Sequence, residues 1–175
     1  HAEYLEQMAG KFFDLLQKYH GLGERERLLL RLAAILHDCG KFISMSAPGE
    51  CAYQIIMSTE ILGISHMERE MVASIVRYNT MELPNFNEFD GKLGNDEYLI
   101  VMKLAAILRV CNALDRSHRQ KFADMKLTIK DSNIVITTAY PDNITLEKKT
   151  LQDKQDFFEE VYGLGFEIKQ KKKKQ

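Results

Sequence analysis

A histidine and an aspartate, two residue types able to take part in chemistry, are adjacent at the end of an apolar run. His37 and Asp38 follow Leu-Ala-Ala-Ile-Leu at residues 32–36 and precede Gly40. At a helix end, such a pair presents an imidazole nitrogen and a carboxylate oxygen to one point, which suits chelation of a divalent cation. The alternative is structural: His37 is a hydrogen-bonded core histidine and Asp38 terminates the helix. Residue types alone leave both interpretations open.

The residues before this pair predict a helix over residues 24–37. Four leucines, one alanine and one isoleucine occupy positions 28, 29, 32, 33, 35 and 36. Because these positions leave no polar face, we expect this helix to be central and buried.

A second group of candidate functional residues is basic and suits the binding of an anion: Lys41, Arg77, Arg109, Arg116 and Arg119. Arg109, Arg116 and the 117–119 turn recur at about two helical turns, so a groove beside them can be cationic although the net charge is −1. A planar guanidinium suits phosphate oxygens. The alternative for each arginine is an ion pair on a solvated face, with Asp115, Glu97 or Glu70.

The composition is that of an ordinary globular protein, with 45% hydrophobic and 28% charged residues. Three cysteines at unrelated spacings form neither a disulfide framework nor a zinc knuckle, and the longest apolar stretch is too short to cross a membrane. We therefore expect a cytoplasmic protein. The chain begins with His1 inside a helical pattern, which indicates a piece of a longer protein.

Periodicity predicts five helices followed by a small mixed unit. The helices cover residues 4–19, 24–37, 50–61, 65–79 and 97–116, and residues 81–96 form an irregular connection. Ser65 and Glu68 have the spacing of a capping box, and Met67 is expected to face inward. After residue 121 the period changes to that of a hairpin with Asp131 and Ser132 at its turn, then a helix over 146–162 and a short strand. The fold is thus mostly α: a helical bundle over residues 1–121, a small α+β unit over 122–170, and a basic disordered tail over 171–175.

Motifs along nearly the whole chain resemble one family. They are residues 32–41, 65–70, 77–78, 108–118, 146–147 and 158–163, and in this order they resemble the C-terminal half of the exopolyphosphatase/guanosine pentaphosphate phosphohydrolase (Ppx/GppA) family. The resemblance implies an HD-type helical domain with a small α+β appendage. It also implies an upstream actin-like phosphatase domain with the catalytic residues, so none is expected in this fragment.

The resemblance to HD phosphohydrolases implies a metal-ligand set of His1, His37, Asp38 and Asn112. The last position carries an aspartate in those enzymes, and a neutral amide binds a divalent cation less strongly. We therefore expect an incomplete set, no stoichiometric metal, and a His37–Asp38 pair kept by hydrogen bonds. No cofactor is expected in this fragment, while Mg²⁺ suits the parent enzyme.

With the resemblance, the five basic residues are expected to bind a phosphate chain. The chain is then a non-catalytic module that binds inorganic polyphosphate or a guanosine polyphosphate, contacts its own actin-like domain, and helps the enzyme form a homodimer. No membrane partner is expected. Two alternatives are an autonomous HD-type metal phosphohydrolase and a purely structural or dimerisation domain.

Overall fold

The computed structural model describes residues 1–89 and 92–171, and within them a helical bundle is joined to a small sheet. Its elements, in chain order, are α1 (Ala2–Leu15), α2 (Gln17–His20), α3 (Glu24–Leu36), α4 (Pro48–Ser58), α5 (His66–Arg77), α6 (Asn95–Leu114), β1 (Lys126–Lys130), β2 (Asn133–Thr138), α7 (Thr145–Tyr162) and β3 (Gly165–Gln170). Short 3₁₀ turns cover Cys39–Phe42 and Phe86–Glu88. None of the described helices combines the length and apolar composition needed to span a bilayer.

Helix α6 is the centre of the bundle. The five successive side chains at residues 104–108 are all 0% exposed. Since successive residues point about 100° apart around a helix, five of them cover every direction, so α6 has no solvent face in this stretch. Helices α1, α3, α5 and α7 pack against it.

The prediction that the 24–37 helix is central is wrong. Ile35 is 48% exposed, and the buried residues of α3 are Leu29, Leu30, Ala33 and Ala34. The arginines of α3 form its outer face and pair with acids of neighbouring segments: Arg25 with Glu68, Arg27 with Asp14, and Arg31 with Glu6. The apolar run therefore belongs to an amphipathic helix packed on α6.

Helix α5 begins with the predicted capping box. The Ser65 hydroxyl accepts a hydrogen bond from the Glu68 amide at 3.1 Å, and the Glu68 carboxylate accepts one from the Ser65 amide at 2.7 Å. The Arg25 guanidinium also donates to Glu68, and these bonds hold the pKa of Glu68 at about 2. Met67 is 39% exposed, contrary to the prediction, because residues 65–67 all lie at the solvent-exposed start of the helix.

The C-terminal unit is the predicted hairpin with one further strand. β1 pairs antiparallel with β2, and the turn residues Asp131 and Ser132 have φ of 50° and 58°. β3 pairs parallel with β2, and α7 connects them and packs on α6. This confirms the mostly α fold with a small α+β unit. The hydrophobic core runs without a break from α1 to α7, and the division of the chain at residue 121 stays a prediction. Residues 172–175 of the predicted tail lie outside the described residues.

The capping box predicts the effect of a single hydroxyl. Ser65→Ala should lower the free energy of unfolding by about 1 kcal/mol, because the Glu68 amide loses its acceptor. Ser58→Ala is the matched control, because Ser58 is exposed and its side chain makes no hydrogen bond within the described residues. This substitution should change the free energy of unfolding by no more than about 0.5 kcal/mol. Urea unfolding followed by circular dichroism measures both. Equal effects of the two substitutions would show that the cap contributes nothing.

Candidate functional site

The His37–Asp38 pair is held in place by the glycine that follows it. Gly40 lies in the 3₁₀ turn after α3, where a β-carbon would be 1.9 Å from the Pro48 carbonyl oxygen and 2.5 Å from the Ala52 amide nitrogen. Since backbone atoms of α4 cannot yield that far, no side chain fits at this position. The glycine break therefore packs the end of α3 directly against α4 and fixes the pair.

Three distant segments meet at His1. His1, which precedes α1, places its Nε2 atom 3.2 Å from Nε2 of His37. The other ring nitrogen of His1, Nδ1, is 2.6 Å from Oδ2 of Asp115, the residue that follows α6. The His118 ring stacks on the His1 ring, with centroids 3.9 Å apart and planes inclined by 21°. These contacts define the histidine cluster: His1, His37, Asp38, Asp115 and His118.

The hydrogen bonds of His37 determine which nitrogen carries its proton. Nδ1 is 2.7 Å from the Ala34 carbonyl oxygen, and a carbonyl only accepts, so Nδ1 is the protonated atom. In the neutral ring, Nε2 therefore has a lone pair. That atom lies 3.3 Å from Oδ1 of Asp38.

The two carboxylates of the cluster differ in their environment. Burial would raise the pKa of Asp38, but the Nε2–H of the protonated His37 ring and the Lys41 ammonium hold it well below its ordinary range. Lys41 Nζ is 2.7 Å from Asp38 Oδ1. Asp115 is 1% exposed, burial raises its pKa, and its Oδ1 accepts a hydrogen bond from the Gln120 amide at 2.9 Å. Asp38 is therefore an ionised carboxylate, and Asp115 is a buried one that contacts His1.

Three of the four predicted metal ligands come together. Donor atoms of His1, His37 and Asp38 all lie within 4.8 Å of one another. Within the described residues the Asn112 side chain makes no hydrogen bond, and the carboxylate that contacts His1 belongs to Asp115. Sequence reasoning missed that role of Asp115. The available signal was its position three residues after Asn112, on the same side of the helix end.

The predicted phosphate-binding residues divide into two groups, and Arg77 and Arg109 form the first. Arg109 donates from Nε to the Tyr78 carbonyl at 2.7 Å and from Nη2 to the Met81 carbonyl, and its guanidinium lies 4.4 Å from the Phe157 ring centre. Burial lowers its pKa. Arg77 Nε pairs with Glu50 at 2.6 Å. Both arginines thus have structural partners around the end of α5.

Lys41, Arg116 and Arg119 form the second group, next to the histidine cluster. Lys41 contacts the cluster through Asp38, and the two arginines flank His118 in the loop after α6. Both arginines are exposed, and neither has an ion-pair partner among the described residues. Their guanidinium groups are available to an external anion.

A separate groove lies between α6, α7 and the segment after α5. It has a volume of about 600 Å³ and contains four acidic side chains but only two basic ones, namely Glu82, Asp153, Asp156 and Glu160 against Arg109 and Lys154. Because acids outnumber bases, this groove does not suit a polyanion. The phosphate-binding prediction therefore rests on the second group of cations.

The loop that carries Arg116 and Arg119 is fixed at both ends. At its start, Asp115 bonds His1 and the Gln120 amide; at its end, Lys121 Nζ is 2.9 Å from Glu147 Oε2 and 2.8 Å from the Asn143 carbonyl oxygen. Burial alone would raise the pKa of Glu147, but the Lys121 ammonium holds it below its ordinary value. His118 and Gln120 have φ of 56° and 52°, which such anchoring must maintain.

A model of a known protein family matches most of the chain. The family model described as Ppx/GppA phosphatase, domain III, matches residues 1–156. The matched range contains all five residues of the histidine cluster as well as Lys41, Arg116 and Arg119. No curated protein matches the chain.

The buried ion pair predicts a large loss of stability. Glu147→Gln removes the charge beside Lys121, which is 9% exposed, and leaves its ammonium without a counter-ion. The free energy of unfolding should fall by about 3 kcal/mol. Glu167→Gln is the matched control, because Glu167 and Lys169 are 3.7 Å apart and both side chains are more than half exposed. This substitution should change the free energy of unfolding very little.

Unfolding by guanidinium chloride at several pH values measures the loss of stability in Glu147→Gln. The pKa of Glu147 is lower in the folded state than its ordinary value of 4.5, so the stabilisation is complete above that pH and is lost as the pH falls below it. The difference between the original chain and Glu147→Gln should shrink on acidification. A difference of the same size at every pH would contradict the ion-pair explanation.

Proposed function

Because this chain belongs to the Ppx/GppA phosphatase family, as its domain III, we propose that it is a non-catalytic module that binds the phosphate chain of a substrate. The substrate class is inorganic polyphosphate or a guanosine polyphosphate. Hydrolysis of the phosphoanhydride belongs to an actin-like domain of the parent protein, where Mg²⁺ assists, and the enzyme works in the cytoplasm.

The single observation that carries this proposal is the fixed loop with two unpaired arginines. Arg116 and Arg119 are exposed and lack ion-pair partners among the described residues, while Asp115 and Lys121 anchor the loop on both sides. A guanidinium binds phosphate oxygens through a planar fork of N–H donors. Since the backbone between the anchors is already ordered, binding costs little additional entropy.

The same observation favours this function over the two alternatives. A purely structural domain gains nothing from two arginines that an anchored loop presents to solvent, since an exposed charge contributes little to stability. An autonomous phosphohydrolase needs a group that activates the attacking water, and the carboxylates of the cluster are engaged with His1, His37 and Lys41.

Phosphate binding predicts a steep dependence on salt. The chain ending at Lys171, which retains β3 but not residues 172–175, should bind linear polyphosphate with an affinity that falls as salt is raised, because counter-ions are released. Arg116→Ala with Arg119→Ala should weaken binding about tenfold or more and reduce the salt slope by about two. Fluorescence anisotropy of a labelled polyphosphate measures both quantities.

The matched control removes two other positive charges. Lys126 and Lys130 on β1 are exposed and lack ion-pair partners within the described residues, so their double substitution to alanine changes net charge equally. It should leave the affinity within about twofold, since these lysines lie on β1 outside the anchored loop, and salt screens exposed charges that the ligand does not contact. Equal losses in the two double variants would mean binding to any positive surface, and unchanged affinity in the arginine variant would rule out the loop.

A second observation favours dimerisation. Phe42, Ile43 and Met45 are 94%, 68% and 76% exposed and lie in one turn beside Lys41. Contiguous exposed apolar side chains of this kind mark contact surfaces. We propose that this turn packs against the same turn of a second copy in a two-fold homodimer.

Light scattering tests the dimer. Phe42→Asp should shift the chain, or the full-length enzyme that contains it, from dimer to monomer, because an unpaired carboxylate in an apolar contact is unfavourable. Leu62→Asp is the control, since Leu62 is 89% exposed but lies outside this turn. A monomer before any substitution, or equal dissociation by both variants, would contradict the proposed surface.

A further inference from the structure

Asn79 is a buried residue whose side-chain amide has no hydrogen-bond partner. It follows the end of α5 and is 5% exposed. Neither its Oδ1 atom nor its Nδ2 atom makes a hydrogen bond within the described residues. An amide group has an acceptor oxygen and a donor nitrogen, and buried polar groups are normally paired. This side chain therefore costs the folded state free energy unless a ligand completes its hydrogen bonds.

Asn79 lines the groove between α6, α7 and the segment after α5. The groove volume of about 600 Å³ lies within the range of about 300 to 1,000 Å³ that is usual for ligand sites. The backbone at Asn79 is fixed, because Arg109 donates to the carbonyls of Tyr78 and Met81 on either side of it. The unpaired amide is therefore held in place before any ligand binds.

The rim of this groove is acidic on both sides. Glu82 belongs to the segment after α5, whereas Asp156 and Glu160 lie one turn apart on α7. All three are exposed, and none has an ion-pair partner within the described residues. Of the two basic lining residues, Arg109 is engaged by backbone carbonyls, and Lys154 is exposed. The rim therefore attracts positively charged groups of a ligand.

Two requirements select the class of ligand. The Asn79 amide needs a donor and an acceptor side by side, and the rim needs positive charge. A peptide unit supplies that pair, since its N–H donates to Oδ1 and its C=O accepts from Nδ2. We propose that the groove binds an extended, lysine- or arginine-rich segment of a partner protein. Its cationic groups meet the acidic rim, and its methylene stems pack on Tyr98, Met102 and Phe157.

Two other classes of ligand fit the groove less well. An aliphatic polyamine suits the acids, but its ammonium groups only donate hydrogen bonds and leave Nδ2 of Asn79 unpaired. A nucleotide base offers paired donors and acceptors, but its phosphates are repelled by the acidic rim. The groove does not include Arg116 or Arg119, so peptide binding and phosphate binding can each fail without affecting the other.

Binding of a labelled peptide tests the proposal. The probe is a short peptide of alternating lysine and alanine, blocked at both ends, and the comparison peptide has glutamate in place of lysine. Fluorescence anisotropy should show saturable binding of the lysine peptide that weakens as salt is raised, and no binding of the glutamate peptide. Asn79→Leu removes both hydrogen-bonding atoms at similar side-chain volume and should weaken binding about tenfold or more.

Charge variants separate the groove from the rest of the surface. Glu82→Gln with Glu160→Gln should weaken binding about tenfold. The matched control is Glu3→Gln with Glu24→Gln, which removes the same charge from exposed residues of α1 and α3 that lack ion-pair partners within the described residues. It should leave the affinity within about twofold. The chain ending at Lys171 is titrated beside the full chain, because residues 172–174 are lysines like those of the probe.

The outcomes distinguish the groove from a merely negative surface. Binding that both Asn79→Leu and the groove double variant weaken, while the control double variant does not, would support the site. Should Asn79→Leu fail to fold, as judged by circular dichroism, the comparison of the two double variants decides the matter. No binding by either chain, equal losses in the two double variants, or unchanged affinity in a folded Asn79→Leu would overturn the proposal.

Discussion

Burial of α6 on every side determines how the rest of the molecule is arranged. Because the side chains at residues 104–108 point in all directions and none reaches solvent, α1, α3, α5 and α7 must surround this helix. The end of α6 then lies inside the structure, and its last polar group, Asp115, has to find partners there. It finds His1 before α1 and the Gln120 amide in the next loop. Packing of apolar helices thus brings the polar cluster together.

The cluster and the arginine loop are two faces of one polar junction. The buried Asp115 carboxylate interacts with His1 on the inner side, while Arg116 and Arg119 extend from the same loop to solvent. The Lys121–Glu147 pair, which is 9% and 0% exposed, holds the far end of the loop against α7. A negative ligand on the outer face therefore meets charges of the opposite sign.

Local patterns in the sequence predicted the local structure. The Ser65 capping box and the Asp131–Ser132 turn depend on neighbouring residues only, so spacing and residue type were sufficient. Burial was harder: residues 32–36 are apolar in sequence, yet α3 lies at the side of the bundle because α6 is more completely apolar. The His1–Asp115 contact joins residues 114 positions apart, and the Tyr78 carbonyl that holds Arg109 is 31 positions away from it, so neither was visible in one sequence.

Nitrogen-15 NMR of the histidine rings tests most directly whether the buried end of α6 holds His1 through Asp115. The account predicts that His37 carries a proton on Nδ1, and that Asp115→Asn shifts the Nδ1 resonance of His1 but not that of His20. His20 is an internal reference with the opposite tautomer, because its Nε2 donates to the Phe13 carbonyl and its Nδ1 accepts from the Leu22 amide. An Nδ1 resonance of His1 that does not change in Asp115→Asn would contradict the account.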